Sequence, residues 1–303
     1  LFLTPTHEPD WDSPALVSLI QKSLEEDIGM GDATSRALVP ETCTARARII
    51  AKQRLVCAGL PLVERIFRQL DPAIRFVVRC NEGAAASPGA PLADIAGQAR
   101  SILSGERIAL NFLCHLCGVA TLTHRFAEAL SGTSAKIRDT RKTTPLLRAL
   151  EKYAVRVGGG SNHRTGLYDA ILIKENHIAL AGGVRAAFER AREYARHAPR
   201  TGPEDSPLAI QIEVRNQHEL REAVSAGADA VLLDNPTPEE ATRLVGLARR
   251  LRPGCIVEVS GGITLDNVRA FAQTGADFLS AGALTHSAPA ADISLLVESI
   301  LAE

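Results

Sequence analysis

The chain has 303 residues, 46% of them apolar and 23% charged, with a formal net charge of −1. That length suffices for a buried core in one large or two unequal α/β domains, and the near-zero charge excludes the basic surface that nucleic acid demands. No apolar run reaches the roughly 18 residues of a membrane span and no basic segment leads an apolar N-terminal core, so neither a span nor a secretory leader is expected. The six cysteines (43, 57, 80, 114, 117, 255) lack disulfide spacing, which predicts reduced thiols in a cytoplasmic protein.

Residues through Trp11 read as a lead-in. A helix is predicted from Ser13, with Pro14 in its first turn and Leu16, Leu19, Ile20 and Leu24 at helical spacing, ending near Gly29. Strands follow at Thr44–Ala51, Leu55–Ala58, Phe76–Arg79 and Pro91–Gly97, with a helix at Pro61–Leu70 between them, which makes a small α+β unit. Ser104–His124 reads as a long helix with a possible break at Gly118. It holds Cys114-His115-Leu116-Cys117, but the apolar flanks and the lack of a second ligand pair favour packing over redox or zinc chemistry.

From Lys136 the pattern changes to short apolar runs alternating with helical stretches. The runs are Ala135–Asp139, Val155–Val157, Ala170–Lys174, Leu208–Val214, Ala230–Asp234, Cys255–Ser260 and Phe278–Ala281. Seven such runs predict a parallel sheet curled into an α/β barrel, left incomplete at seven strands. The last segment, Ile293–Leu301, reads as a helix returning to the N-terminal unit. The predicted division is therefore 1–117 for an N-terminal α/β sandwich, joined by a helix in 288–303, and 118–287 for the barrel.

Polar residues collect where these runs end: Arg141, Lys142, His163, Arg164, Lys174, Glu213, Asp234, Ser260-Gly261-Gly262 and Gly282. The rim at the strand C-termini is where α/β barrels place their active sites. Alternation puts Gln211 with Glu213, and Glu258 with Ser260, on shared strand faces. A carboxylate on a buried strand is costly unless it is paired or functional. Gly158-Gly159-Gly160 alone is a turn; followed by Ser161-Asn162-His163-Arg164 it reads as a tight loop presenting a histidine and an arginine. Lys174 suits either a Schiff-base nucleophile or a fixed cation for phosphate or carboxylate. Asp234 suits Mg²⁺ or a ribose diol, and the glycines after the last two strands suit a phosphate.

Three motifs then carry a resemblance: Asp139-Thr140-Arg141-Lys142-Thr143, Gly158-Gly159-Gly160-Ser161-Asn162-His163-Arg164, and Leu172-Ile173-Lys174-Glu175-Asn176-His177. With Glu258-Val259-Ser260-Gly261-Gly262-Ile263 in support, the chain resembles the quinolinate phosphoribosyltransferases over nearly its whole length. The resemblance implies transfer of phosphoribosyl from phosphoribosyl pyrophosphate to quinolinate, with loss of CO₂ and pyrophosphate, giving nicotinate mononucleotide for NAD synthesis. It implies Mg²⁺ and no organic cofactor. It also implies a homodimer or hexamer whose active sites are completed by a neighbour through Arg107, with no nucleic acid or membrane partner. By resemblance, Arg107, Thr140, Arg141, Lys142, His163, Arg164 and Lys174 bind substrate. Glu213 and Asp234 lie near ribose and metal, with Lys142, Lys174, Glu213 and Asp234 forming the catalytic set. Ser260, Gly261, Gly262, Ala281, Gly282 and Ala283 would hold the 5′-phosphate. Cys117, where the family often has serine, is read as a packing change. Competing readings are a Schiff-base lyase on Lys174, a non-catalytic anion sensor, and phosphoribosyl transfer to a different acidic base.

Overall fold

The computed structural model describes residues 8–199 and 207–301. In chain order, the first part runs α1 (Pro14–Ile28), α2 (Ala33–Leu38), β1 (Thr44–Ala51), β2 (Leu55–Val56), α3 (Leu60–Leu70), β3 (Arg75–Val78), β4 (Ala85–Ala86), β5 (Pro91–Gln98) and α4 (Ala99–Ala129). The middle continues with β6 (Lys136–Arg138), α5 (Arg148–Val157), β7 (Ile171–Ile173), α6 (Glu175–Ala181), α7 (Val184–His197), β8 (Ile210–Val214) and α8 (Gln217–Ser225). The last part is β9 (Ala230–Asp234), α9 (Pro238–Leu251), β10 (Ile256–Ser260), α10 (Val268–Ala272), β11 (Phe278–Ser280), α11 (Ala283–His286) and β12 (Ile293–Leu301).

These elements form two compact units. One contains Glu8–His124, Pro145–Gly159 and the chain from Ala288 on; the other contains Arg125–Thr144 and Gly160–Ser287. This contact division differs from the expected cut at 117/118 in two respects. Helix α4 runs unbroken across it, and the segment carrying α5 joins the N-terminal unit. Gly118 serves close approach instead of a break: a Cβ there would sit 2.2 Å from the Pro289 carbonyl oxygen. By length and mean hydropathy part of α4 would pass for a membrane span, which the sequence reading did not expect, yet over half of that window is buried inside the fold.

The N-terminal unit is built on an antiparallel sheet ordered β12-β1-β5-β3. Strand β1 alternates, turning Ala45, Ala47, Ile49 and Ala51 inward, as its period-two pattern dictates. Ile293–Leu301 is the partner of β1 along its full length, Thr44 opposite Leu301 and Ala51 opposite Ile293, so it is a strand and not the helix expected. The segment does return to the N-terminal unit. Its apolar residues fit helical spacing too, and only the distant β1 edge decides between the two.

The second unit holds a six-stranded parallel sheet ordered β6-β11-β10-β9-β8-β7. Helices α6 to α10 touch their neighbours in chain order, as the outer ring of a barrel does. The seventh expected run, Val155–Val157, is the end of α5, whose inward face is Leu150, Tyr153, Ala154 and Val155. The place of that strand is taken by a single parallel bridge between Arg138 and Ser161. The barrel is thus incomplete, open between Ser161 and β7.

Candidate active site

Parallel register brings the ends of four strands into one row. Asp234 lies opposite Ser260, Ser260 opposite Ser280, and Ser280 opposite Arg138. Above this row opens a cavity of about 570 Å³, at the C-terminal rim where the sequence placed the site. Its lining includes Thr140, Arg141, Lys142, His163, Arg164, Lys174, Glu213, Asp234, Ser260, Gly261, Gly262, Ala281, Gly282 and Ala283. Arg107 is not among these residues; it is exposed on α4.

The cationic wall is held from behind. Asp139, fully buried, accepts the Asn162 amide at 2.6 Å and the His163 backbone N–H at 2.7 Å, which fixes the loop after Gly160. Arg164 is 8% exposed; its Nη1 donates to the Ala170 carbonyl at 3.0 Å, while its buried Nε finds no acceptor among the described residues. Burial first, and the nearby Arg141 second, push its guanidinium below the ordinary value against the pull of Asp169. A buried cation beside a second cation is a vacancy for an anion. Lys142 is exposed, but its backbone is pinned: its N–H donates to Thr140 Oγ1 at 3.0 Å, and its carbonyl accepts Thr285 Oγ1 at 2.7 Å.

The acidic side comes from β8 and β9. Glu213 is pushed above the usual carboxylate range by burial and then by Asp234, with Lys174 opposing. Lys174 Nζ stands 3.7 Å from Glu213 Oε2 and is 54% exposed. A Schiff-base lysine is desolvated; this one is solvated and ion-paired. His177, in the motif that carries Lys174, is structural: its Nδ1 accepts the Lys174 backbone N–H at 3.0 Å and caps α6.

The glycine turns are real but not uniform. Gly261 at φ +103 and Gly262 at φ +61 need left-handed backbone, and a Cβ on Gly261 would strike Asn235 Oδ1 at 2.0 Å. Asn267 ties this loop down, accepting from Thr264 N and donating to the Gly262 carbonyl, both at 2.8 Å. Ala281, expected to offer its N–H to a phosphate, spends it on the Arg138 carbonyl at 3.0 Å. Only its place in the lining remains.

Several lining residues were not singled out as site residues by the sequence: Leu172, Leu232, Asn235, Glu258, Ser280 and His286. Glu258 had a signal, its shared face with Ser260. It is fully buried and accepts from Arg138 Nη1 at 2.9 Å, Gln211 Nε2 at 3.0 Å and Ser280 Oγ at 2.5 Å. Burial works to raise its pKa, but His163, Arg138 and these hydrogen bonds outweigh it and hold Glu258 below its ordinary value. Nothing local marked His286, which sits beside Gly282.

Comparison with known proteins identifies the family. Residues 32–117 match the quinolinate phosphoribosyl transferase N-terminal domain and residues 119–296 the C-terminal domain. A probable nicotinate-nucleotide pyrophosphorylase [carboxylating] of Bacillus subtilis is 41% identical over 281 residues, covering 92% of each chain. The nicotinate-nucleotide pyrophosphorylase [carboxylating] of Mycobacterium leprae is 39% identical over 290 residues, covering 94% of this chain and 98% of its own. The solved nicotinate-nucleotide pyrophosphorylase of Francisella tularensis superposes with a TM-score of 0.86 at 37% identity, covering 94% of this chain and 96% of its own. The chain belongs to the quinolinate phosphoribosyl transferase family.

Proposed function

We propose that the rim cavity is where this chain joins quinolinate to phosphoribosyl pyrophosphate, releasing pyrophosphate and CO₂ and forming nicotinate mononucleotide for NAD synthesis. The observation that carries the reading is Arg164: a buried guanidinium with an orphaned Nε, set beside Arg141 in an anion-sized cavity. An acceptor with two carboxylates neutralises both arginines, whose planar forks suit bidentate carboxylate contacts. Leu172 and Leu232 give the aromatic ring an apolar surface. Arg107, exposed on α4, is assigned to the site of a second copy, which makes the working form a homodimer or a larger assembly of dimers.

The transfer step follows from the acids. As pyrophosphate departs, C1 of the ribose becomes oxocarbenium-like, and Glu213 and Asp234 stabilise that charge from the β8 and β9 ends. Lys142 and Lys174 sit on the anionic leaving group, and the backbone N–H groups of Gly261, Gly262, Gly282 and Ala283 receive the 5′-phosphate, with Ser260 beside them. Once the pyridine nitrogen is alkylated, its positive charge stabilises the electron pair left on the adjacent ring carbon as the C–C bond to the carboxylate breaks; CO₂ leaves, and that carbon takes a proton from solvent, without a protein nucleophile. The described residues contain no cluster of three or more metal-ligating side chains. Glu213 and Asp234 instead fit Mg²⁺ that arrives with the pyrophosphate, since that ion takes one or two carboxylates plus phosphate oxygens. When bound it neutralises charge on the leaving group. No organic cofactor enters these steps, and all reactants are water-soluble anions suited to the cytoplasm.

The test is pyrophosphate release by the purified protein with Mg²⁺ and the phosphoribosyl donor, with and without quinolinate. Quinolinate-dependent release supports the reading; release that ignores quinolinate, or a borohydride-trapped adduct on Lys174, overturns it.

A further inference from the structure

One group of buried polar residues lies behind the substrate-facing arginines. Gln211 is 2% exposed in the middle of β8, and Glu258 is fully buried in β10. The Gln211 amide is oriented without ambiguity. Glu258 Oε2 also accepts the buried Arg138 guanidinium, at 2.9 Å, and so serves as an acceptor, which sets the Gln211 NH₂ toward it, at 3.0 Å. That turns Gln211 Oε1 toward His163 Nε2, at 3.2 Å. On the far side of the ring, His163 Nδ1 lies 2.7 Å from the Arg164 backbone N–H, which can only donate. Both neighbours therefore demand the same tautomer, with the proton on Nε2 and the lone pair on Nδ1.

We propose that Gln211, oriented by Glu258, is a positioning residue for acceptor binding: it sets the His163 tautomer and, through Nδ1, the backbone of Arg164. The chain of contacts is Arg138 and Ser280 to Glu258, Glu258 to Gln211, Gln211 to His163, and His163 to Arg164. Glu258 Oε1 also stands 3.7 Å from His163 Nε2, a second acceptor on that side of the ring. Outer partners that orient functional groups in this way are worth about ten- to a hundredfold in affinity or activity. Without the Gln211 oxygen, the ring can rotate or exchange its proton, and Arg164 loses a backbone anchor. The role in acceptor binding rests on the reading of the cavity given above, whereas the tautomer does not.

Glu258 is the wrong residue to change first, because its loss removes the carboxylate 2.9 Å from the buried Arg138. Gln211→Met keeps side-chain length, removes both amide ends, and leaves the Arg138–Glu258 and Ser280–Glu258 contacts in place. The ring ¹⁵N signals of His163, assigned by their loss in His163→Gln, report the tautomer directly. In the unsubstituted protein Nε2 is protonated and Nδ1 bare. In Gln211→Met the two nitrogens move toward an averaged shift, and KM for quinolinate rises about ten- to a hundredfold while KM for the phosphoribosyl donor stays within twofold. His163 protonated on Nδ1 in the parent, or a Gln211→Met protein with the parent tautomer and an unchanged quinolinate KM, overturns the proposal. Failure of the parent to turn over quinolinate overturns the functional reading instead, and the spectra still decide the tautomer.

Discussion

Replacing Arg164 with Met separates ligand holding from fold holding. Among the described residues the guanidinium makes one hydrogen bond, to the Ala170 carbonyl, and burial and Arg141 repulsion outweigh the attraction of Asp169. Losing a charged hydrogen bond costs about 1.5–3 kcal/mol. Removing a buried cation that lacks a matched carboxylate returns a similar amount. Arg164→Met should therefore unfold within about 3 °C of the parent without ligand, since 1 kcal/mol moves Tm by about 1.5–2 °C at this size. Quinolinate binding responds differently. Truncating one side of a buried charge pair costs about 2–5 kcal/mol, or roughly 30- to 4,000-fold in Kd. At a quinolinate concentration 100 times the parent Kd, the parent gains about 2.7 kcal/mol, hence about 4–5 °C; the variant should gain at most about 0.9 kcal/mol, under about 2 °C. Calorimetric titration and thermal melts with and without quinolinate read both quantities. A variant that binds quinolinate within threefold of the parent refutes the reasoning, as does one that melts far lower without ligand.

Other consequences follow from the same geometry. Glu258→Leu removes the carboxylate 2.9 Å from Arg138, which is 1% exposed, and should cost about 3–5 kcal/mol in denaturant unfolding; Glu258→Leu with Arg138→Met should recover most of it. Glu213 has a folded pKa above its ordinary 4.5, so the native state binds the extra proton, and stability falls as pH rises through 4.5 toward the raised value. Glu213→Gln should thus raise the ligand-free Tm at pH 7, lose that advantage below about pH 4.5, and abolish turnover. Arg107→Ala and Arg141→Ala should each be inactive, and co-refolding them should restore about a quarter of parental activity if sites are shared across a two-fold interface.

Much of this was legible in the sequence because local chemistry decided it. Strands β1 and β9 fall on their expected residues, since alternation in one and an unbroken apolar run in the other leave little choice. The rim residues were readable because polar groups at successive strand ends have no structural reason to recur. Two segments misled for the opposite reason. Val155–Val157 carries β-branched residues, yet it completes a helix whose buried face is set by Leu150 and Tyr153 upstream. Ile293–Leu301 satisfies helical spacing, and its strand state depends on β1, some 240 residues away in the chain. The roles of Gln211 and Glu258 were equally hidden. Sequence shows that each shares a strand face with a rim residue, but only register brings the two amide and carboxylate groups to His163. Ala281 shows the limit of motif transfer: its neighbourhood is right and its N–H is already spent.

The central claim is that a dicarboxylate acceptor is consumed with loss of one carboxylate at the barrel rim. Quinolinate labelled in both carboxylates, incubated with the purified protein, the phosphoribosyl donor and Mg²⁺, tests it most directly. The account predicts one labelled CO₂ released for each nicotinate mononucleotide formed. A nucleotide product that retains both carboxylates, or equal turnover of an acceptor with only one, would contradict it.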